Sequence, residues 1–83
     1  MGGGTMGGTL RRVRMPVAGM DSMQCEPCVR EVLERAGARQ VNVIWQRGEV
    51  WFGLPRAVDR EALRAAVSAD GYEPGEIERP LPT

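Results

Sequence analysis

The chain has 83 residues and no net charge, because its arginines balance its acidic residues and it contains no histidine. This length allows one small domain without a large substrate pocket, since nearly all of its large apolar residues are needed for packing. The charge balance excludes strong attraction to nucleic acid or to an anionic membrane. No segment approaches the roughly 20 apolar residues that cross a bilayer, and none resembles a signal peptide. We therefore expect a cytoplasmic protein.

The sequence predicts one folded domain between two tails. Residues 1–9 are glycine-rich and of low complexity, and we expect them to be a disordered leader or residues left over from an expression vector. Residues 10–78 are the predicted domain. Residues 79–83 contain two prolines and are predicted to be a tail or a linker to a longer protein.

The first half of the domain predicts a strand and a helix. From Leu10 to Ala18, apolar residues alternate with polar ones, which is the period of a half-buried strand. Pro16 cannot donate to a ladder, so we expect either no partner or an irregular register beside it. The helix that follows tolerates Pro27 in its first turn and ends at Gly37. Its apolar stripe has helical spacing and consists of Val29, Val32, Leu33 and Ala36.

The second half predicts a hairpin, a helix and a last strand. The hairpin strands are Gln40–Gln46 and Glu49–Leu54, and Arg47-Gly48 between them indicates a two-residue turn. Asp59 is the predicted N-cap of the second helix, and a short strand over Tyr72–Glu78 closes the domain. The order strand, helix, strand, strand, helix, strand predicts an α+β fold of the ferredoxin-like βαββαβ type. Its antiparallel four-stranded sheet carries both helices on one face.

Both cysteines lie where the first strand gives way to the first helix. Cys25 and Cys28 are three positions apart, so they can converge on one soft metal ion or close a disulfide with each other. We expect Cys25 just before the helix and Cys28 just inside it. Unpaired N–H groups at the helix start, with the positive end of the helix dipole, would favour the thiolates.

Three kinds of chemistry are open to such a pair. Thiolates select soft ions such as Cu(I) and Hg(II). A structural zinc site normally has four ligands, so two cysteines without histidine leave only a site shared between two chains. The competing hypothesis is a thiol-disulfide oxidoreductase that uses the Cys-Glu-Pro-Cys sequence, although proteins of that kind follow a different order of strands and helices.

These residues resemble the heavy-metal-associated domain family, which occurs in copper chaperones and at the N-termini of metal-transporting P-type ATPases and of mercuric reductase. The family pattern is a strand, then Gly-Met-x-Cys-x-x-Cys, then a helix, and Met23 to Cys28 resemble its second part. Downstream, the second helix and Gly71-Tyr72 look like the family's closing helix and Gly-Tyr loop.

The resemblance implies metal ligation by Cys25 and Cys28, with no catalytic or cofactor-binding residues. The domain would bind one Cu(I) or Hg(II) ion and exchange it, thiolate for thiolate, with a protein or domain that carries a matching cysteine pair. It would not be an enzyme by itself, although it could be a non-catalytic part of one. We expect a monomer that contacts neither nucleic acid nor membrane.

Three further residues are expected near the thiols. The resemblance places Tyr72 in a loop facing the site, where it would shield the metal or tune the sulfurs. Met23 has the family's spacing to Cys25 and is predicted to fill the family's buried methionine position. Gly19 to Ser22 lengthen the loop, and Met20 is expected to stay peripheral while the two sulfurs stand alone at the surface.

Overall fold

The computed structural model describes residues 10–79 and has the predicted order of elements. These are β1 Leu10–Ala18, α1 Cys25–Arg35, β2 Arg39–Ile44, β3 Glu49–Pro55, α2 Arg60–Ala69 and β4 Glu73–Pro74. The strands form one sheet in the order β2-β3-β1-β4, and all neighbours are antiparallel. The ferredoxin-like βαββαβ prediction is confirmed. The predicted leader, and the predicted tail beyond residue 79, lie outside the described residues.

One core joins the inner face of the sheet to both helices. The alternation in β1 buries Val13, Met15 and Val17, each at most 1% exposed. Their partners are the apolar stripes of the helices and the inward residues of the other strands, namely Val29, Leu33, Val43, Val50, Phe52, Leu54, Leu63 and Val67. The apolar stripe of each helix therefore packs against the inward-facing residues of the strands, as the helical and strand periodicities of the sequence predict.

Strand β1 is central and its two neighbours differ in length. It pairs with β3 from Leu10 to Pro16 without interruption, whereas β4 supplies only two paired residues. The Pro16 carbonyl accepts a hydrogen bond from the Gly75 amide at 2.7 Å, and the ladder resumes only at Arg14 and Glu78. The register is therefore irregular beside Pro16, as expected. The predicted last strand, residues 72–78, is wrong in extent: β4 is only Glu73–Pro74, because Pro16 offers no N–H to continue the ladder.

The connection between β2 and β3 is longer than the predicted two-residue turn. Trp45–Arg47 form a turn of 3-10 helix, and Gly48 follows with φ +67°, so that Ile44 pairs with Glu49. A two-residue type I′ turn would require positive φ at both central positions, which glycine adopts readily and arginine does not. The Gly48 carbonyl accepts a hydrogen bond from the Val17 amide at 2.8 Å and so ties this turn to β1.

The helix ends follow their predicted capping residues. The Asp59 side chain accepts a hydrogen bond from the Glu61 amide at 3.2 Å, so it caps α2 as predicted. Helix α1 ends before Gly37, whose φ is +109°, and the Ala38 amide then bonds back to the Leu33 carbonyl at 2.9 Å. Between residues 10 and 79, neither helix is long and apolar enough to span a membrane.

Candidate metal site

The loop between β1 and α1 places its two methionines in opposite environments. Gly19 follows β1 with φ +101°, and Met20 directly after it is only 6% exposed within the core. Met23 is 67% exposed. The prediction that Met23 fills the buried position is therefore wrong, and Met20 is the methionine of this loop that packs into the core. The reason is that the chain reverses at Gly19, which returns the next residue to the core and leaves Met23 in a solvent-facing turn.

The first turn of α1 has its own hydrogen-bond partners. The Cys25 amide donates to the Ser22 carbonyl at 3.0 Å, and the Glu26 amide donates to the Met23 carbonyl at 3.2 Å. Pro27 has no N–H. The expectation of unpaired N–H groups at these positions is therefore wrong, because the turn in front of the helix supplies carbonyl acceptors. Cys25 is the first residue of α1 rather than the residue before it.

The two cysteines lie one helical turn apart and are unequally exposed. Both are free thiols, and the side chains of Cys25 and Cys28 share one face of α1 because residues three apart in a helix are neighbours. Cys25 is half-buried and packs against the core, whereas Cys28 is exposed. The pair is therefore asymmetric before any ligand binds.

Hydrogen-bond donors surround the sulfur of Cys25. The Tyr72 hydroxyl hydrogen-bonds it and is the main reason that its pKa lies below the ordinary thiol value, against the opposing effect of burial. Backbone hydrogen bonds from Ser22 and Asp21 lower this pKa further, and the Ser22 hydroxyl lies 4.0 Å from Sγ. Together these donors stabilise a thiolate at Cys25.

Tyr72 reaches the site from the loop that follows α2. Gly71 leaves the helix with φ +99°, and the Tyr72 amide bonds back to the Val67 carbonyl at 3.3 Å. The hydrogen bond with Cys25, followed by burial, raises the pKa of Tyr72 to about 12. Its hydroxyl therefore keeps its proton at neutral pH and can donate it to the sulfur.

Asp21 and Ser22 are site residues that sequence reasoning missed, since the loop was interpreted as surplus length. The available signal was a serine three residues before a cysteine at a helix start, where serine and aspartate commonly bond to backbone or neighbouring groups. Within residues 10–79, no group of three or more His, Cys, Asp or Glu side chains could hold a metal together. What the described site offers is two sulfurs, a donor set that suits soft ions.

Comparison with known proteins gives relatives of two kinds. The chain is 39% identical over 69 residues to a mercuric reductase of Bacillus cereus and 41% identical over 71 residues to one of Staphylococcus aureus. These matches cover 83% and 84% of the chain but only 11% and 13% of those longer proteins. No family model matches the sequence.

The fold is shared with a copper-loaded domain of known structure. The N-terminal domain of a potential copper-translocating P-type ATPase from Bacillus subtilis, solved in its Cu(I)-loaded state, superposes with a TM-score of 0.74 at 15% identity. The superposition covers 90% of this chain and 99% of that domain. The relatives, the βαββαβ fold and the two cysteines at the start of α1 together show that the chain belongs to the heavy-metal-associated domain family.

Proposed function

We propose that this domain binds one soft metal ion between Cys25 and Cys28 and passes it to a thiol pair on a partner protein or domain. The observation that carries the proposal is the pair of free thiols on one face of α1, one turn apart and with Cys28 exposed. Two thiolates satisfy a soft ion that accepts near-linear coordination, and they leave room for a third sulfur. The domain itself performs no catalysis.

Transfer proceeds by ligand exchange. A thiolate of the partner bonds to the metal while one of the two bonds between the domain and the metal breaks, and a second exchange completes the transfer. The ion is never released to solvent. This requires at least one ligand to be reachable from outside, and the exposure of Cys28 meets that requirement.

The cargo that we put first is Hg(II). The sequence identity to this chain is 39% and 41% for the mercuric reductases, whereas it is 15% to 22% for the copper-binding domains of similar fold. We propose that the domain captures Hg(II) and delivers it to a reductase, either on the same chain or on a separate one. Cu(I) is the second candidate, because a two-sulfur site suits it equally well.

The oxidoreductase hypothesis has one observation in its favour, which is the lowered pKa of Cys25, since a thiolate is the attacking species in disulfide exchange. The order of elements weighs against it. Enzymes of that kind place a proline opposite their cysteines. In the described residues the candidate for that role is Pro55, which ends β3 and is followed by α2. We therefore treat disulfide exchange as an outcome to be tested.

The test is a titration of the reduced chain with Hg(II) and with Cu(I) in the presence of a competing small thiol. We expect one ion per chain, and we expect tight uptake to disappear in both Cys25→Ser and Cys28→Ser. The matched control is Ala65→Ser, which introduces a serine at an exposed position of α2. This variant should bind the ion normally. A reduced chain that takes up no stoichiometric ion but turns over a disulfide substrate would refute the proposal.

A further inference from the structure

We propose that a second ligand site lies at the end of the sheet opposite the cysteines, where three arginines line one cavity, and that this site binds a dianionic phosphate group. The cavity has a volume of about 150 Å³. Its lining, which we call the arginine cavity, consists of Arg11, Arg56 and Arg60 with the apolar residues Leu54, Pro55 and Val58. Neither cysteine lines it, so the proposal does not depend on metal binding.

The arginine cavity lies where the start of β1, the end of β3 and the start of α2 come together. Arg11 is near the start of β1 and pairs with Leu54 near the end of β3, and Arg60 is the first residue of α2. The loop that carries the cysteines follows the other end of β1, after Ala18. The strand from Arg11 to Ala18 spans roughly 23 Å. A ligand in the cavity therefore does not block the approach of a partner to Cys28.

The charges around this cavity are not balanced by carboxylates. Among residues 10–79, the ion pairs involve other arginines, namely Arg14, Arg30, Arg35, Arg47 and Arg64. The two acidic residues that flank Arg60 have other partners, because Asp59 caps the Glu61 amide and Glu61 pairs with Arg64. Three positive charges around one space repel each other, so the cavity is complementary to an anion.

The chemistry of the donors favours phosphate over a single carboxylate. Each guanidinium presents its N–H groups in a planar fork that binds two oxygens of an oxyanion. One arginine is therefore enough for a carboxylate, which has two oxygens and one charge. A phosphate group has three strong acceptor oxygens and carries nearly two charges at neutral pH, and three arginines from three elements match it. Leu54, which is 5% exposed, and the half-buried Val58 exclude water from one side of the cavity, which strengthens these interactions.

Titration of the reduced, metal-free chain with inorganic phosphate tests the site. The ionic strength is held constant with sodium chloride, and binding is followed by calorimetry and by the NMR signals of the arginine Nε–H groups. We expect saturable binding of one phosphate per chain, with the largest shifts at Arg11, Arg56 and Arg60. Phenyl phosphate should shift the same signals, because its phosphate group can enter the cavity while the ring remains in solvent. A response that does not saturate, or that sodium chloride alone reproduces, would overturn the proposal.

Single substitutions identify the ligands. Arg11→Gln, Arg56→Gln and Arg60→Gln should each weaken phosphate binding by about tenfold or more, which corresponds to the loss of one charge-assisted hydrogen bond. Arg39→Gln is the matched control, because it removes the same charge from an exposed residue that does not line the cavity. It should change the affinity by less than about twofold, since exposed charges are screened. If Arg39→Gln weakens binding as much as the other three variants, phosphate responds only to net charge and the site does not exist.

Urea denaturation separates the loss of the site from the loss of the fold. All three arginines are exposed, so without phosphate each variant should unfold at nearly the same urea concentration as the wild type. Saturating phosphate should raise the unfolding midpoint of the wild type and of Arg39→Gln, and it should not raise that of the cavity variants. A rise of equal size in all of them would contradict the assignment.

Two further measurements distinguish this site from the alternatives. Succinate carries two carboxylates, as an acidic protein segment does, and we expect it to bind more weakly than phosphate. Tighter binding of succinate would show that the cavity accepts carboxylates and would refute the phosphate assignment. Hg(II) uptake on the same preparation separates the two proposals, because normal uptake without phosphate binding rejects only this inference, whereas phosphate binding without uptake of Hg(II) or Cu(I) rejects only the proposed function.

Discussion

Gly19 lies against the ring of Tyr72, so that a β-carbon at residue 19 would stand 3.6 Å from the ring carbon Cδ1. Gly19 directly follows β1 and Gly71 lies two residues after α2, and both have left-handed backbone with φ near +100°. These two glycines turn the first and last loops toward each other. The position of Tyr72 beside Cys25 therefore depends on backbone conformations that other residues rarely adopt.

Gly19→Ala and Gly71→Ala should each lower the free energy of unfolding by about 1 kcal/mol or more, because alanine is strained at positive φ. Urea denaturation measures both. Nothing lies within 4 Å of a β-carbon at residue 71, so that variant reports backbone strain alone. The contact at residue 19 is of ordinary van der Waals length, and we expect the two losses to be similar. A much larger loss at Gly19 would mean that the Tyr72 contact also contributes.

Met20→Ala should destabilise the chain by about 2 to 5 kcal/mol, because it removes a side chain from a packed core and leaves a cavity. Met23→Ala is the matched control, since the same truncation at a 67% exposed residue should change stability by less than about 0.5 kcal/mol. Urea denaturation of the two variants side by side provides the comparison. The reverse result would restore Met23 to the buried position that the family spacing predicts.

The two methionines mark the boundary of what the sequence could predict. Periodicity identified β1, both helices and the core, because each buried face repeats over several turns or alternations. The candidate metal ligands, Cys25 and Cys28, could likewise be identified from the sequence, because they are its two cysteines. The choice between Met20 and Met23 depended on where the loop reverses, and a spacing of two residues to Cys25 carried no information about the conformation of Gly19. The long hairpin turn and the shortened β4 likewise depended on tertiary pairing, which local patterns do not record.

Tyr72→Phe should raise the pKa of Cys25 toward the ordinary thiol value while leaving stability nearly unchanged. The phenyl ring keeps the packing against Gly19, but the hydroxyl that hydrogen-bonds the thiolate is lost. The measurement is a thiolate absorbance titration in the Cys28→Ser background, so that one sulfur is observed. Because Tyr72 has a pKa of about 12, its hydroxyl is protonated throughout the thiol titration. An unaltered pKa would show that Ser22, Asp21 or other groups dominate the effect.

Glu49 is a buried carboxylate that links β1, β3 and the turn before β3. Its oxygens accept hydrogen bonds from Arg14 Nε at 2.7 Å and from Trp51 Nε1 at 2.9 Å, and Arg47 lies 3.8 Å away. The Trp51 hydrogen bond, followed by that of Arg14, lowers the pKa of Glu49 below its ordinary value. A group with a lower pKa in the folded state stabilises the fold above its unfolded pKa, and this contribution is lost as the pH falls through the folded pKa.

Glu49→Gln should therefore be less stable than the wild type at neutral pH, and the difference should shrink as the medium is acidified below pH about 4. Urea denaturation at a series of pH values measures both curves. Glu61→Gln is the control, because Glu61 pairs with Arg64 at a side chain that is 75% exposed, and such surface pairs contribute little. If the gap between the wild type and Glu49→Gln stays constant down to the acid transition, the carboxylate acts through its shape and not through its charge.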